Sequence, residues 1–249
     1  MSKAVKAFQE DRGLPRSGRV DPATWDALNR DTAPVLAQYI ATAEDVTGPY
    51  RRVPRGWKAK AACARLGYAS WIEALGERVH ASPVLLKEMN PRACFRRAGE
   101  SLTVPDVASV APGRAAKIVV SRSERSLRAF DDGGKLIGFY PITIGGSHDP
   151  LPVAEWTIDA VRRNPSYHYD SERFWDASES GEAVLPPGPN SPVGVVWMDL
   201  SKAHRGIHGT PEPSRISQTF SHGCIRMTNW DASELADMVE PGTPVLLRK

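Results

Sequence analysis

"IHGTPEPSRISQTFSHGCIRMTN" (Ile207–Asn229) gathers reactive side chains that are scarce elsewhere in the chain. It holds His208 and His222 out of six histidines, and Cys224 out of three cysteines. A thiol is a weak nucleophile until it is deprotonated, and a nearby imidazole can lower its pKa and take its proton. These residue types favour cysteine–histidine acyl transfer, and by type alone either histidine could be the base.

Gly223, next to Cys224, adds a second feature of acyl-transfer sites. Without a side chain, the backbone can approach a substrate closely, and the N–H groups of Gly223 and Cys224 could face a developing oxyanion. Two other interpretations remain open. Cys224 could be a buried apolar residue, or it could bind zinc together with histidines that include His204. The chain has no CxxC or HxxxH pair, which argues against zinc.

Around this stretch the hydrophobic pattern alternates, which is typical of strands. A helix is expected from about Trp230 to Val239, with Thr228 or Asn229 as its cap and Gly242 after its end. Residues 114–249 are therefore predicted to form a mostly-β domain with one late helix. The expected strands are Lys117–Ser121, Ser126–Phe130, Leu136–Ile144, Glu155–Val161, Gly194–Asp199 and Thr243–Leu247.

The first part of the chain has a helical pattern instead. An apolar stripe ending at Phe8 predicts one short helix that stops at Gly13, and Asp21-Pro22 predicts the capped start of a second. Residues 1–31 are too few to enclose a core. Residues 32–107 begin with a proline-punctuated connector and continue as a helical spacer, and 108–115 ("ASVAPGRA") reads as a linker. The predicted fold class is α+β.

The composition argues against a nucleic-acid-binding protein and against a membrane-spanning one. The chain has 249 residues, 41% of them hydrophobic, and a formal net charge of +3, which is too mild to indicate a nucleic-acid partner. No apolar stretch is long enough for a membrane helix. Cys63 and Cys94 are either two thiols or, in an oxidising compartment, a disulfide. No pattern calls for a metal or an organic cofactor.

The motifs resemble a known family. "IHGTPEPSRISQTFSHGCIRMTNWD" is similar to the signature of the L,D-transpeptidase (YkuD-type) catalytic domain, and "FYPITIGG", "RRNPSYHY" and "PPGPNSPVGVVWM" follow the family's order. The resemblance implies that Cys224 is the nucleophile and His208 its base, oriented by the Gly209 carbonyl. It also implies that Arg226 holds a substrate carboxylate and that three residues shape the pocket: Ser221, His222 and Gly223.

Three other positions in the matching blocks have no expected role in catalysis. Asn190 and Trp197 are expected to serve a turn and the core. Ala154 stands where the family has glycine, so access to positive φ is lost there and the local backbone geometry is in question.

Two N-terminal stretches resemble wall-binding modules. "AVKAFQEDRGLPRSGRVDPATWDAL" is similar to the second half of a peptidoglycan-binding repeat, and "SPVLLKEMNP…AGESLTVPDV" resembles the closing half of a LysM module, without a recognisable opening strand. The missing half of the repeat implies that Met1 is an internal cut or a miscalled start, with an export signal expected upstream. The expected location is then the periplasm or cell envelope.

The resemblance implies an enzyme that acts on peptidoglycan stem peptides and glycan. The donor would be a tetrapeptide stem that loses its terminal D-Ala through a thioester acyl-enzyme, and an amine or water would resolve the thioester. A wall-binding protein with weak or no catalysis is the alternative, as is an L,D-carboxypeptidase or endopeptidase on the same scaffold. The sequence identifies neither the acceptor nor the oligomeric state.

Overall fold

A computed structural model describes residues 2–107, 113–176 and 180–249. Small N-terminal helices precede a mostly-β domain with a curled sheet, so the predicted α+β class is confirmed. Most of the expected linker, residues 108–112, lies outside the described residues. Within the described part, no helix is long and apolar enough to cross a membrane.

The two N-terminal helices are present, α1 (Ser2–Asp11) and α2 (Pro22–Leu28). Asp21 caps α2 by accepting a hydrogen bond from the Thr24 backbone N–H at 2.9 Å. The connection between the helices wraps around Gln9, which is fully buried and donates to the Thr24 hydroxyl at 2.9 Å. This amide gives the small unit a polar centre in place of a large core.

The middle module contains a strand that the sequence did not reveal. β1 (Leu36–Ile40) lies within the expected connector and pairs antiparallel with β2 (Ser101–Pro105). The strand is short and most of its outer face is exposed, so alternation gave no clear signal. The helices between these strands are α3 (Ala43–Thr47), α4 (Trp57–Ala61), α5 (Trp71–Arg78) and α6 (Pro83–Met89).

A separate apolar core holds this module together, and it includes the buried side chains of Trp71, Leu75, Leu86 and Leu102. The LysM-like character of the module stays a prediction. Cys63 and Cys94 are both free thiols in the structure.

Ten strands and one α-helix build the described part of the C-terminal domain. The strands are β3 (Lys117–Ser121), β4 (Ser126–Phe130), β5 (Leu136–Pro141), β6 (Ala154–Arg163), β7 (Tyr167–Asp170), β8 (Glu182–Leu185), β9 (Val196–Leu200), β10 (Gly206–His208), β11 (Ile225–Arg226) and β12 (Pro244–Arg248). Eight of them form one sheet in the order β11-β10-β9-β6-β12-β3-β4-β5. β7 and β8 pair separately as a hairpin.

The late helix, α7 (Asn229–Met238), packs on this sheet through Ala232 and Leu235. Thr228 caps it by accepting a hydrogen bond from Asp231 N at 3.1 Å, as the sequence predicted. β5 ends at Pro141, earlier than the expected Ile144, because the chain leaves the ladder and Thr143 bridges to Arg226. Within the described residues, β12 lies between β3 and β6, so the C-terminal segment stabilises the sheet centre.

Candidate active site

The candidate site is built on two very short parallel strands. In the β10–β11 pair, Ile207 lies opposite Ile225 and His208 lies opposite Arg226. Both isoleucines are fully buried in the core. Side chains alternate along a strand, so His208, next to Ile207, faces away from that core. Cys224 directly precedes Ile225, and the same alternation puts its side chain on the face of His208.

His208 is held by its backbone neighbour and by a stacked indole. Its Nδ1–H donates to the Gly209 carbonyl at 2.7 Å, the arrangement expected from the sequence. The ring stacks on Trp197, with centroids 5.2 Å apart and planes 15° apart. Trp197 therefore supports the histidine rather than serving only as a core residue. With Nδ1 carrying the proton, Nε2 is the basic nitrogen that can accept one.

Burial keeps both reactive groups neutral in the resting site. Burial raises the pKa of the half-buried Cys224 thiol, and the Gly206 backbone and the charge of Arg205 oppose this only in part. Burial also lowers the pKa of His208 to about 3, and the positive charge of Arg226 contributes. The sequence pattern suggested a thiol with a lowered pKa, and the structure differs because desolvation disfavours both charged forms.

The turn before Cys224 is fixed by side-chain hydrogen bonds. Ser221 Oγ donates to the Cys224 carbonyl at 2.5 Å. Arg205 Nη1 donates to the His222 carbonyl at 2.7 Å. Gly223 has φ +92°, and a Cβ placed there would lie 2.1 Å from Arg205 Nη1. The positive φ therefore requires glycine at this position, and a Cβ there would also displace the Arg205 guanidinium from the His222 carbonyl.

Arg205 is a site residue that the sequence reasoning missed. It lies seventeen positions before the carbonyl that it binds. A single arginine beside a strand-like run carries no local signal of such a contact.

His222 is engaged by the connection between β7 and β8. Its Nε2 lies 2.7 Å from Asp176 Oδ1, and its ring meets Phe174 edge-on with centroids 4.9 Å apart. Trp175 also approaches this ring, and its indole N–H donates to Asp149 at 3.1 Å. The two histidines thus differ: His208 lies on the strand beside Cys224, while His222 fastens the hairpin connection next to the site.

Arg226 is anchored by its backbone and is half-buried. Its N–H donates to the Thr143 carbonyl at 2.8 Å, and its carbonyl accepts from Thr143 N at 2.9 Å. Among the described residues, no carboxylate forms an ion pair with its guanidinium. This leaves a positive charge near His208 and Cys224 that a substrate carboxylate can meet.

Two further positions differ from expectation. Asn190 does not serve only a turn, because its amide donates to Gly67 O at 2.9 Å and to Glu73 Oε1 at 2.6 Å in the middle module. Ala154 is the first residue of β6 and pairs with Leu247. It is not among the described residues with positive φ, so this position does not need the conformational freedom of glycine here.

The structure assigns the third zinc candidate a different contact. The carbonyl of His204 faces Cys224, with Sγ 3.9 Å from the oxygen. In the described ranges, no group of three histidine, cysteine or acidic side chains is arranged to hold a metal ion.

Comparison with known proteins identifies two families along the chain. Residues 115–247 match the L,D-transpeptidase catalytic domain (YkuD), and residues 1–28 match a "Putative peptidoglycan binding domain". "Putative L,D-transpeptidase YkuD" of Bacillus licheniformis is 36% identical over 150 residues, which cover 59% of this chain and 74% of that protein. "Probable L,D-transpeptidase YcfS" of Escherichia coli is 29% identical over 184 residues, covering 70% of this chain and 57% of that protein.

Solved structures of L,D-transpeptidases are also among the matches. L,D-transpeptidase 3 from Mycobacterium tuberculosis superposes with a TM-score of 0.45 at 19% identity, over 61% of this chain and 75% of that chain. The chain spans little more than half the length of some of the relatives that it matches.

Proposed function

Because the chain belongs to the L,D-transpeptidase family, we propose that it transfers a peptidoglycan stem peptide through a thioester on Cys224. The donor is a tetrapeptide stem, and the leaving group is its terminal D-Ala. The observation that carries the proposal is that His208, on β10, and Cys224, the residue before β11, share one face of this strand pair. The hydrogen bond from His208 Nδ1 to Gly209 supports it by leaving Nε2 basic.

The first half-reaction begins with two neutral groups. As Sγ of Cys224 attacks the carbonyl before D-Ala, its proton passes to Nε2 of His208. The backbone N–H groups of Gly223 and Cys224 donate to the oxyanion. The C–N bond then breaks, His208 returns the proton to the departing amine, and a thioester remains. Attack by an acceptor amine, or by water, releases the acyl group and restores the thiol.

Polar groups around the pair support binding of a charged peptide. The guanidinium of Arg226, which forms no ion pair with a described carboxylate, binds a carboxylate of the stem, since arginine matches carboxylate geometry with two parallel hydrogen bonds. Ser221 and Arg205 hold the turn that presents the two N–H groups. His222, tied to Asp176, forms the wall on the hairpin side.

The N-terminal part supplies affinity for the wall. Residues 1–31 form a partial peptidoglycan-binding unit, residues 32–107 a spacer module and residues 114–249 the catalytic domain. A unit that holds glycan raises the effective concentration of stem peptides at the site. The chain therefore works in the cell envelope, where its substrate lies.

The test is to incubate the full chain with a purified disaccharide-tetrapeptide and weigh the products. Wild type should release D-Ala, and Cys224→Ala should release none while still binding isolated wall. Cys94→Ala, which removes an exposed thiol of the middle module, is the matched control and should keep full activity. A dimer lacking one D-Ala indicates transfer to an amine, and a tripeptide alone indicates hydrolysis. Wall binding without any D-Ala release from wild type would show a binding protein instead.

A further inference from the structure

The middle module is joined to the catalytic domain by backbone hydrogen bonds. Leu66 N donates to the Pro187 carbonyl and Asn190 N donates to the Leu66 carbonyl, each at 3.0 Å. The Asn190 side chain adds its bond to Glu73 Oε1 at 2.6 Å. Leu66 is 1% exposed. This is a packed junction, so the module is held in a fixed position relative to the strands that carry the site.

A second contact across the junction reaches the backbone beside His208. Asn229, at the start of α7, is 2% exposed. Its Nδ2 donates to Pro189 O at 3.1 Å and to Oε1 of Glu77, in α5 of the middle module, at 3.3 Å. Its Oδ1 lies against Gly209, where an added Cβ would be only 2.2 Å away. Gly209 is the residue whose carbonyl orients the His208 ring.

The amide of Asn229 therefore has a defined orientation that depends on Glu77. Its Oδ1 is buried, has no hydrogen-bond partner among the described residues and lies against Gly209. The Nδ2 end is fixed by its two acceptors. Loss of the Glu77 acceptor leaves this buried donor half-satisfied, with Pro189 O as its remaining acceptor, so the amide is held less firmly and its oxygen can shift against Gly209.

We propose that Glu77 is a positioning residue for His208, acting through Asn229 and the Gly209 carbonyl. The inference rests on the proposed role of His208 as the base. It makes the middle module part of the catalytic apparatus rather than only a wall-binding spacer. Burial raises the pKa of Glu77 to about 7, so its ionised form is destabilised at the junction. A carboxyl group retained at such an unfavourable position agrees with a functional role.

Glu77→Ala should lower kcat for D-Ala release about tenfold and leave KM within about twofold, because misplacing a reacting group by a fraction of an ångström is enough for such a loss. Glu77→Gln keeps the Oε1 acceptor and should restore kcat to within about twofold of wild type. Glu88→Ala removes an exposed glutamate of α6 and is the matched control with wild-type kinetics.

Two measurements separate positioning from a general loss of structure. Alkylation of Cys224 by iodoacetamide at pH 9, followed by peptide mass, reports on the thiol and its turn and should be unchanged in Glu77→Ala. The second measurement repeats the substitution in an Asn229→Ala background. There, Glu77→Ala should have no further effect on kcat, because the link is already broken.

Three results would overturn the inference while leaving the proposed function intact. The first is a wild-type kcat in Glu77→Ala. The second is a fall of kcat and of the alkylation rate by the same factor in Glu77→Ala. The third is a further tenfold loss of kcat when Glu77→Ala is added to Asn229→Ala. Failure of wild type to release D-Ala would instead refute the proposed function and the inference together.

Discussion

The reactive pair of this site is neutral at rest because both side chains lose solvation. A thiolate–imidazolium pair would need the thiol pKa to fall below that of the imidazole. Burial moves both groups the other way, raising the pKa of Cys224 and lowering that of His208. In the mechanism that we propose, the proton is therefore transferred during attack on the substrate, as the C–S bond and the oxyanion form.

This neutral state predicts the pH dependence of Cys224 chemistry. The rate of alkylation by iodoacetamide should keep rising past pH 9, since the reactive thiolate forms only above the raised pKa. His208→Gln should change this rate less than about twofold at pH 8 but abolish D-Ala release. The measurement is peptide mass after timed alkylation between pH 5 and 10. A plateau near pH 7 that disappears in His208→Gln would demonstrate an ion pair and contradict the prediction.

Gly223 offers a second test at the residue scale. In Gly223→Ala, the alanine would be strained at φ +92° and its Cβ would displace the Arg205 guanidinium from the His222 carbonyl, so the turn before Cys224 loses a hydrogen bond that fixes it. We expect D-Ala release to fall by about a hundredfold. Gly134→Ala is matched in conformation, with φ +79° and no atom within 4 Å of the new Cβ. It should cost about 1 kcal/mol of stability and leave activity intact.

At the scale of elements, helix α4 supports the β7–β8 hairpin. Trp57 stacks on Tyr169, with ring centroids 5.2 Å apart, and its ring lies 3.4 Å from the position of a Cβ at Gly181. Tyr169 stacks in turn on Phe174, which meets His222 edge-on. A continuous series of aromatic contacts therefore runs from the middle module to the residue beside Gly223.

Trp57→Ala should loosen this hairpin without unfolding the sheet. Losing an aromatic pair costs about 1 kcal/mol, so amide hydrogen exchange in peptides covering Tyr167–Asp170 and Glu182–Leu185 should be about fivefold faster. Peptides from β3 and β12 should keep their wild-type rates. Trp25→Ala, which removes a 57% exposed indole from α2, is the control. Unchanged hairpin exchange would show that α4 does not stabilise the hairpin.

The elements differ in how far the sequence predicted them. The sequence predicts β3 and β4 to the residue, because β3 is a short apolar run, β4 begins by alternating, and polar turn residues follow both. β10 and β11 have three and two residues, too few for alternation to register. Only the family resemblance brought His208 and Cys224 together. Contacts such as Glu77–Asn229, 152 positions apart, leave no local pattern to read.

At the scale of the whole molecule, the junction between modules carries an acidic group whose ionisation opposes folding. Desolvation raises the pKa of Glu77 from 4.5 to about 7. Repulsion from Glu73 adds to this upward shift, and the hydrogen bond from Asn229 reduces it. A raised folded-state pKa means that stability from this group is complete below pH 4.5 and is lost as the pH rises through 7. The neighbouring Tyr68, with its pKa raised to about 12, stays neutral over this range.

Glu77→Gln should therefore stabilise the chain at pH 8 but not at pH 4.5, because glutamine keeps the acceptor and never ionises. After allowance for partial exposure, the difference in free energy of unfolding should reach about 1–3 kcal/mol. Urea unfolding of wild type and Glu77→Gln at both pH values measures this difference. Asp231, whose pKa is raised to about 6, also titrates in this range but contributes equally to both proteins. Glu88→Gln should show no pH-dependent difference. An equal effect of Glu77→Gln at both pH values would mean that Glu77 titrates as an exposed carboxyl and that the junction is open to solvent.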